Sequence, residues 1–299
     1  MLNSSQSGTL PPCDSLDSRQ FLIAIKRLAD SLSYGTDKSP FLGSGVEFVQ
    51  SRPYVMGDPI KSIDWRVTAR TNEFYVKQYE APKRMPAYLV VDNSASMTIS
   101  SAKRSKYATA VHIAGGLALA CLDRVSPVGV MTVGGDALHW PPSLAKDRVL
   151  EWLHRLRHFR YDEPTNLSTR LRELAPSLKQ RTLFIVLSDL HDPDATLVLK
   201  RLNQQHDCCV LQLRDPAEVD LSKTGFYRAR EAETGKSFVA HGRTTWRDQA
   251  AVRAELKRAG VDHLMIDVEK SFTHLLRNFF ASRALIGRGS RCQSRRCHC

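Results

Sequence analysis

Residues 87–96 read Ala-Tyr-Leu-Val-Val-Asp-Asn-Ser-Ala-Ser, and this stretch decides the fold class. Its first half, residues 88–91, is a continuous apolar run, which is typical of a strand buried on both faces of a parallel sheet. Its second half places one carboxylate, Asp92, and two hydroxyls, Ser94 and Ser96, directly after that strand. In an open parallel sheet, ligands bind beyond the carboxyl ends of the strands. These three polar residues are therefore the first candidates for a binding site.

The alternation of apolar runs and helical patterns continues along the rest of the chain, which predicts an α/β fold with a doubly wound, mostly parallel sheet. A helix of 103–122 follows the first strand, and its apolar residues recur at helical spacing. The remaining predicted elements are strand 128–133, helix 145–159, helix 168–178, strand 182–187, helix 195–204, strand 208–213, hairpin 226–240, helix 245–258, strand 263–268 and helix 272–285.

Changes in composition divide the chain into four segments. Residues 1–17 are Ser-rich and polar and are predicted to be disordered. Residues 18–85 combine an amphipathic helix, predicted over 18–33, with a small β-rich element. Residues 86–286 carry the alternating pattern and form the main domain. Residues 287–299 form a basic tail that contains cysteines.

Charge and cysteine content narrow the class of protein. The 299 residues carry a formal net charge of +12, but the basic excess outside the tail is dispersed. Arg155, Arg157 and Arg160 lie beside a helical apolar pattern, so we do not expect nucleic acid as a partner. The seven cysteines form no evenly spaced disulfide framework. The start lacks a signal peptide pattern, and no apolar run is long enough for a membrane span, so we expect a cytoplasmic protein.

Two later loops add oxygen donors to the first one. Asp189 directly follows the apolar run 184–188, and Thr165 lies in the loop 162–167 before a predicted helix. Because the carboxyl ends of parallel strands share one edge of a sheet, these loops are expected to converge on Asp92. Hard oxygen donors of this kind suit Mg²⁺, with Mn²⁺ as an alternative.

Two other interpretations of these residues stay open. The hydroxyls of Ser94, Ser96 and Thr165 could cap the N-termini of helices, with Asp189 starting a turn. Alternatively, Asp92 could be the nucleophile of a Mg²⁺-dependent phosphoryl-transfer enzyme, because an Asp at the end of a first parallel strand also begins haloacid-dehalogenase-like phosphatases. Those enzymes need a second acid two residues later, where this chain has Ser94.

The ordered set of polar residues resembles the metal-ion-dependent adhesion site of von Willebrand factor A domains. In that family, Ser and Thr hydroxyls contact the ion directly, and the aspartates often act through water. The resemblance implies a non-enzymatic module whose ion captures an acidic residue of a partner or client. The implied metal ligands are Asp92, Ser94, Ser96, Thr165 and Asp189.

A second resemblance lies upstream, to the bacterial domain of unknown function 58 family. That resemblance implies a MoxR-type AAA+ ATPase as working partner, in chaperone-like assembly, metal insertion or envelope-stress processes. Two positions depart from the superfold pattern: Glu163-Pro164 precede the loop threonine, and Leu190-His191 follow Asp189, where glycines are common. The matching segments are Gly43-Ser44-Gly45-Val46-Glu47-Phe48, Arg52-Pro53-Tyr54, Gly57-Asp58, Ile63-Asp64-Trp65-Arg66, Ala69-Arg70-Thr71 and Tyr75-Val76-Lys77-Gln78-Tyr79-Glu80.

Three further groups of residues are candidates for functional sites. Asp58, Asp64, Trp65 and Arg66 could form a surface beside the metal, but we expect them to pin the β-rich element to the main domain through Trp65 and a buried Asp–Arg pair. His191 is expected to be a surface residue rather than a metal ligand. The donors of 292–299 lack the spacing of a closed zinc site, so that tail is expected to be disordered.

Overall fold

The structure is a computed structural model, and it describes most of residues 86–286, the small β-rich element and part of the N-terminal segment. The described residues are 7–9, 23, 25–30, 47–80, 85–135, 138–160, 163–216, 218, 226–230, 237–241 and 249–285. The predictions for the tail 287–299, including its disorder and its rejected zinc site, lie outside them. Most of 1–17 and of the predicted helix 18–33 does so as well.

The secondary structure follows the predicted alternation. The strands are β1 Ser7–Thr9, β2 Glu47–Pro53, β3 Tyr75–Glu80, β4 Ala87–Val91, β5 Val128–Thr132, β6 His139–Ser143, β7 His158–Arg160, β8 Leu183–Ser188, β9 Asp207–Arg214, β10 Phe226–Arg230, β11 Ser237–His241 and β12 Asp262–Asp267. The helices are α1 at 25–30, α2 Trp65–Thr71, α3 Ala95–Thr98, α4 Lys106–Asp123, α5 Lys146–Leu156, α6 Leu167–Leu174, α7 Ala195–Gln205, α8 Gln249–Arg258 and α9 Thr273–Leu285.

Six strands form the central sheet in the order β12-β9-β8-β4-β5-β6. Every neighbouring pair is parallel except β5 and β6, which run antiparallel. After β4 the chain adds β5 and β6 on one side, and it then crosses to the other side for β8, β9 and β12. The strand order therefore reverses between β4 and β8, which is the point where open α/β sheets bind ligands.

Both faces of the sheet are covered by helices. One apolar cluster joins Leu89 and Val91 of β4 to α4, α5 and α9, and a second joins Tyr88 and Val90 to α6, α7 and α8. This alternation of neighbouring side chains between two cores is the packing of a doubly wound sheet. The predicted fold class is therefore confirmed. Among the described residues, no helix is both long enough and apolar enough to cross a membrane.

Two adjacent glycines in α4 allow close packing of α1. A Cβ atom built on Gly116 would lie 2.6 Å from Cδ2 of Leu28, and one on Gly115 would meet Ile25. Glycine in a helix interior lowers helix stability, so the pair is explained by the space that α1 needs. The N-terminal segment thus contributes buried side chains to the core of the main domain.

The small β-rich element is an antiparallel pair, β2 and β3, to which α2 is joined. The prediction of a buried Asp–Arg pair is wrong. Asp58 instead binds Arg52 near the surface, with both nitrogen–oxygen distances at 2.7 Å. Asp64 instead caps α2 and accepts a hydrogen bond from Ser51. Trp65 does not pin the element, because 62% of it is exposed.

Three short strands differ from the sequence prediction: β1, β6 and β7, the last of which begins within the predicted helix 145–159. Within the segment predicted to be disordered, β1 pairs antiparallel with β7, so its backbone groups gain partners at these three residues. β6 contains Pro141 and Pro142, which normally interrupt strands. Prolines are tolerated here because β6 is the edge strand of the sheet and has only one neighbour.

Candidate metal centre

Asp92 lies at the switch point, immediately after β4, and is fully buried. Its Oδ2 accepts a hydrogen bond of 2.6 Å from the hydroxyl of Ser188, and its Oδ1 accepts one of 3.0 Å from the backbone N–H of Ser94. Burial, together with the nearby charge of Asp189, raises the pKa of Asp92 to about 6. The carboxylate is thus held in one orientation in surroundings that favour a positive partner.

The two serines of the same loop lie side by side. The Oγ atoms of Ser94 and Ser96 are 3.1 Å apart, with Ser94 buried and Ser96 half-buried. Ser94 occupies the N-cap position of α3, but its side chain makes no capping hydrogen bond there. Capping therefore does not account for the hydroxyl of Ser94, which leaves it directed to Ser96.

The loop that carries Thr165 is bonded to both neighbouring loops. The carbonyl of Glu163 accepts a 2.8 Å hydrogen bond from the N–H of Ala95, and the N–H of Asn166 donates to Val133 at 3.0 Å. Asn166 rather than Thr165 is the N-cap residue of α6. Thr165 is half-buried, between the Asp92 loop and the end of β5.

Gly134 lets these loops approach each other closely. Its N–H donates to Oδ1 of Asn93 at 2.6 Å, and a Cβ atom on Gly134 would lie 2.8 Å from Asn93 Oδ1 and from Oε2 of Glu163. Real Cβ atoms do not make contacts this short, so a larger residue here would displace the ends of the Asn93 and Glu163 side chains. Glycine is commonly used where backbone must pass close to other groups.

Asp189 follows β8 and is paired with two nitrogen-bearing side chains. Its Oδ2 lies 2.8 Å from Nζ of Lys106 and 3.1 Å from Nδ1 of His191. Burial acts to raise the pKa of Asp189, but the hydrogen bonds and charges of His191 and Lys106 outweigh burial and lower it. Asp189 is therefore held as a carboxylate near Asp92, whose pKa its charge helps to raise.

Lys106 also forms an ion pair with Glu218, which joins the cluster from beyond β9. The ligand atoms of Asp189, His191 and Glu218 lie within 4.8 Å of one another, so this cluster could hold a metal ion. His191 was expected to be a surface residue and does expose 38% of its side chain, but it contacts the candidate centre through Asp189.

The residues that follow Asp189 complete the turn. Leu190 is buried and adopts a φ of 61°, the left-handed region that glycine favours, at a position where the resemblance leads one to expect glycine. Asp192 accepts hydrogen bonds from the N–H groups of Ser168 and Asp194, so its role is to fix the loops. Asp194 forms an exposed ion pair with Arg172.

The donor set at the switch point fits a hard divalent cation. Two carboxylates and two or three hydroxyls are the oxygen ligands that Mg²⁺ and Mn²⁺ take in proteins, with water completing the shell. Both oxygens of Asp92 already accept hydrogen bonds, which suits a carboxylate that acts on the ion through water. The residue types present are therefore chemically suited to binding such a cation.

Three residues of this centre were missed in the sequence. Ser188 ends β8 within the apolar run 184–188. Lys106 lies 83 residues from Asp189 and 112 residues from Glu218. Only the position of Ser188, directly before Asp189, carried a local signal, since a polar residue at the carboxyl end of a buried strand faces the ligand crevice.

The comparison with protein families identifies the chain. The family described as "Protein of unknown function DUF58" matches residues 50–265. The chain belongs to the DUF58 family. The match spans both the small β-rich element and the candidate centre, so the two parts occur together in this DUF58 protein.

The chain is also similar to curated proteins and to solved structures. The uncharacterised proteins Rv1480 of Mycobacterium tuberculosis H37Rv and Mb1516 of Mycobacterium bovis are each 25% identical over 73% of this chain and 70% of their own length. The crystal structure of the SpRpn10 VWA domain is similar to 65% of the chain and to 94% of that domain, with 11% identity and a TM-score of 0.40. The Deinococcus radiodurans RO (RSR) protein covers 92% of the chain with a TM-score of 0.34, at 14% identity and 52% of its own length.

Proposed function

We propose that this DUF58 protein is a metal-dependent protein-interaction module. In this proposal, Asp92, Ser94, Ser96, Thr165 and Asp189 hold one Mg²⁺ or Mn²⁺ ion. The ion supplies a Lewis-acidic coordination position, which a carboxylate of a partner protein can occupy. The other residues of the centre orient the ligands and fix the three loops.

One observation supports the proposal: the loops that carry these hydroxyl and carboxylate residues are far apart in sequence but are joined by hydrogen bonds beside the switch point of the sheet. Ser94 and Ser96 are joined at 3.1 Å, and Ala95 and Glu163 join their two loops at 2.8 Å. Asp92 and Asp189 follow the neighbouring strands β4 and β8, and the charge of Asp189 helps to raise the pKa of Asp92. A set of helix caps would not need this convergence.

The partner we propose is a MoxR-type AAA+ ATPase, in chaperone-like assembly, metal insertion or envelope-stress processes. The support is the DUF58 membership together with the resemblance of its ligand set to a metal-dependent adhesion site. An acidic side chain on the ATPase, or on a client that it delivers, would be the group that meets the ion.

The alternative function is a Mg²⁺-dependent phosphoryl transfer with Asp92 as nucleophile. Two features disfavour it. Ser94 stands where a second acid would be needed, and both oxygens of Asp92 accept hydrogen bonds from Ser188 and from the backbone of Ser94.

Co-precipitation with the MoxR-type ATPase of the same organism tests the proposal. We expect the wild-type protein to retain the ATPase in Mg²⁺ and to release it in EDTA. The Asp92→Ala variant should lose this retention while its circular dichroism spectrum stays unchanged. Asp123→Ala is the matched control, because Asp123 is an exposed aspartate at the end of α4 and should bind as wild type.

Two results would count against the proposal. Retention of the ATPase by Asp92→Ala, with the metal lost, would rule out capture through the ion. Hydrolysis of p-nitrophenyl phosphate that depends on Mg²⁺ and on Asp92 would instead support the phosphoryl-transfer function.

A further inference from the structure

Lys106 occupies a position that is unfavourable for a positive charge. Only 2% of its side chain is exposed, and it is the first residue of α4, where the helix dipole presents its positive end. Burial acts to lower the pKa of Lys106, but the charges and hydrogen bonds of Asp189 and Glu218 outweigh it and raise it. These two carboxylates therefore hold an ammonium ion at the edge of the candidate centre.

Asp189 already uses most of its acceptor capacity. Its Oδ2 takes the 2.8 Å bond from Lys106 and lies 3.1 Å from Nδ1 of His191, and its Oδ1 accepts the backbone N–H of His191 at 3.3 Å. A carboxylate offers about four lone-pair sites. A divalent ion that coordinates Oδ2 of Asp189 would therefore compete with Lys106 for that oxygen.

We propose that Lys106 is a tethered cation that competes with the divalent ion for Asp189 and so sets the metal affinity of the centre. This inference rests on the proposed function, because it assumes a divalent ion bound through Asp92. With Lys106 in place, its positive charge already balances part of the negative charge of Asp92, Asp189 and Glu218. Metal binding transfers Asp189 from the ammonium to the ion and leaves Glu218 as the partner of Lys106.

Mn²⁺ titration followed by electron paramagnetic resonance of the free ion tests the competition. Lys106→Met and Lys106→Gln should bind Mn²⁺ about tenfold or more tightly than wild type, because an ammonium a few ångströms from a dication repels it even in a partly polar site. Lys270→Met is the control, since Lys270 forms an ion pair with Asp267 but is 76% exposed. Its affinity should equal that of wild type.

Asp92→Ala, made alone and in the Lys106→Met background, separates the two claims. If Asp92→Ala lowers Mn²⁺ affinity but folded Lys106 variants bind no more tightly than wild type, the competition is refuted and the metal centre stands. If Asp92→Ala binds Mn²⁺ as wild type does, the metal centre itself fails. Tight binding that appears only without Lys106 would support competition and contradict a metal-dependent role in the natural protein.

Removing Lys106 leaves Asp189 without its ammonium partner and could prevent folding, so a second measurement uses the wild-type protein. Reductive methylation followed by peptide mass spectrometry reports how available each lysine amine is. We expect Mg²⁺ to accelerate methylation of Lys106 and to leave Lys270 unchanged. An unchanged rate at Lys106, at Mg²⁺ concentrations that saturate the centre, would overturn the inference.

Discussion

At the scale of single residues, the hydroxyl of Ser188 makes the shortest hydrogen bond to the carboxylate of Asp92. Ser188 donates to Asp92 at 2.6 Å, and both residues are fully buried. Ser188→Ala would leave a buried charged acceptor short of one donor, so we expect the free energy of unfolding to fall by about 1–3 kcal/mol. Urea denaturation at neutral pH without divalent metal measures the change.

An exposed serine provides the comparison for that variant. Ser177 donates to the carbonyl of Leu174 but is exposed, so water can replace its bond. Ser177→Ala should therefore cost clearly less than Ser188→Ala. Equal costs for the two variants would show that the bond from Ser188 does not support the buried carboxylate.

Local sequence predicted the carboxylate and the hydroxyls of the centre but not its cation. Asp92 and Ser94 could be found because the apolar strand before them ends at a recognisable position. Lys106 could not, because a lysine at the start of a helix is normally exposed, and its partners are 83 and 112 residues away. Long-range pairing of this kind leaves no periodic signal in the chain.

At the scale of elements, the packing of α1 on α4 depends on the glycine pair. Gly116→Ala should gain about 1 kcal/mol in helix propensity, but its Cβ would lie 2.6 and 2.7 Å from Cδ2 and Cγ of Leu28. Overpacking of this kind costs about 1–3 kcal/mol, so we expect a net loss of stability. Thermal unfolding measures it, and a Leu28→Ala background should remove the clash. A loss of equal size in that background would contradict contact between the two residues.

The tryptophans of α2 and α5 differ in burial, so we expect their replacement to change the free energy of unfolding by different amounts. Trp65 is 62% exposed, so Trp65→Ala should change the free energy of unfolding by less than about 1 kcal/mol. Trp152 is 1% exposed within the core, so Trp152→Ala should cost about 3–5 kcal/mol. Chemical denaturation of the two variants compares them directly. A large cost at Trp65 would mean that this residue does pin the β-rich element.

Helices and strands were predicted well where the apolar residues are strongly periodic. They were predicted poorly where the residue types are unusual for the element that forms. The helices and parallel strands of the main domain lie close to their predicted bounds. β6 was missed because Pro141 and Pro142 read as a loop, and only its place at the sheet edge allows a strand. α2 was not predicted because its seven residues lie between β-rich segments. The only local sign of a helix start is Asp64, which caps α2.

At the scale of the whole molecule, the alternation of strands and helices predicted a parallel sheet but not which strands are neighbours. The order β12-β9-β8-β4-β5-β6 depends on contacts between strands far apart in the chain. That order brings the ends of β4 and β8 together and so brings Asp92 within reach of the charge of Asp189. The candidate centre therefore forms because β4 and β8 are neighbours in the sheet, which places the polar loops after them side by side.

Isothermal titration with Mn²⁺ tests the central claim most directly. We predict that wild type and Asp123→Ala each bind close to one ion per chain. Asp92→Ala should lose this binding while remaining folded, because it removes the carboxylate at the switch point. Binding of Mn²⁺ by Asp92→Ala with the stoichiometry and affinity of wild type would contradict a metal centre at this position.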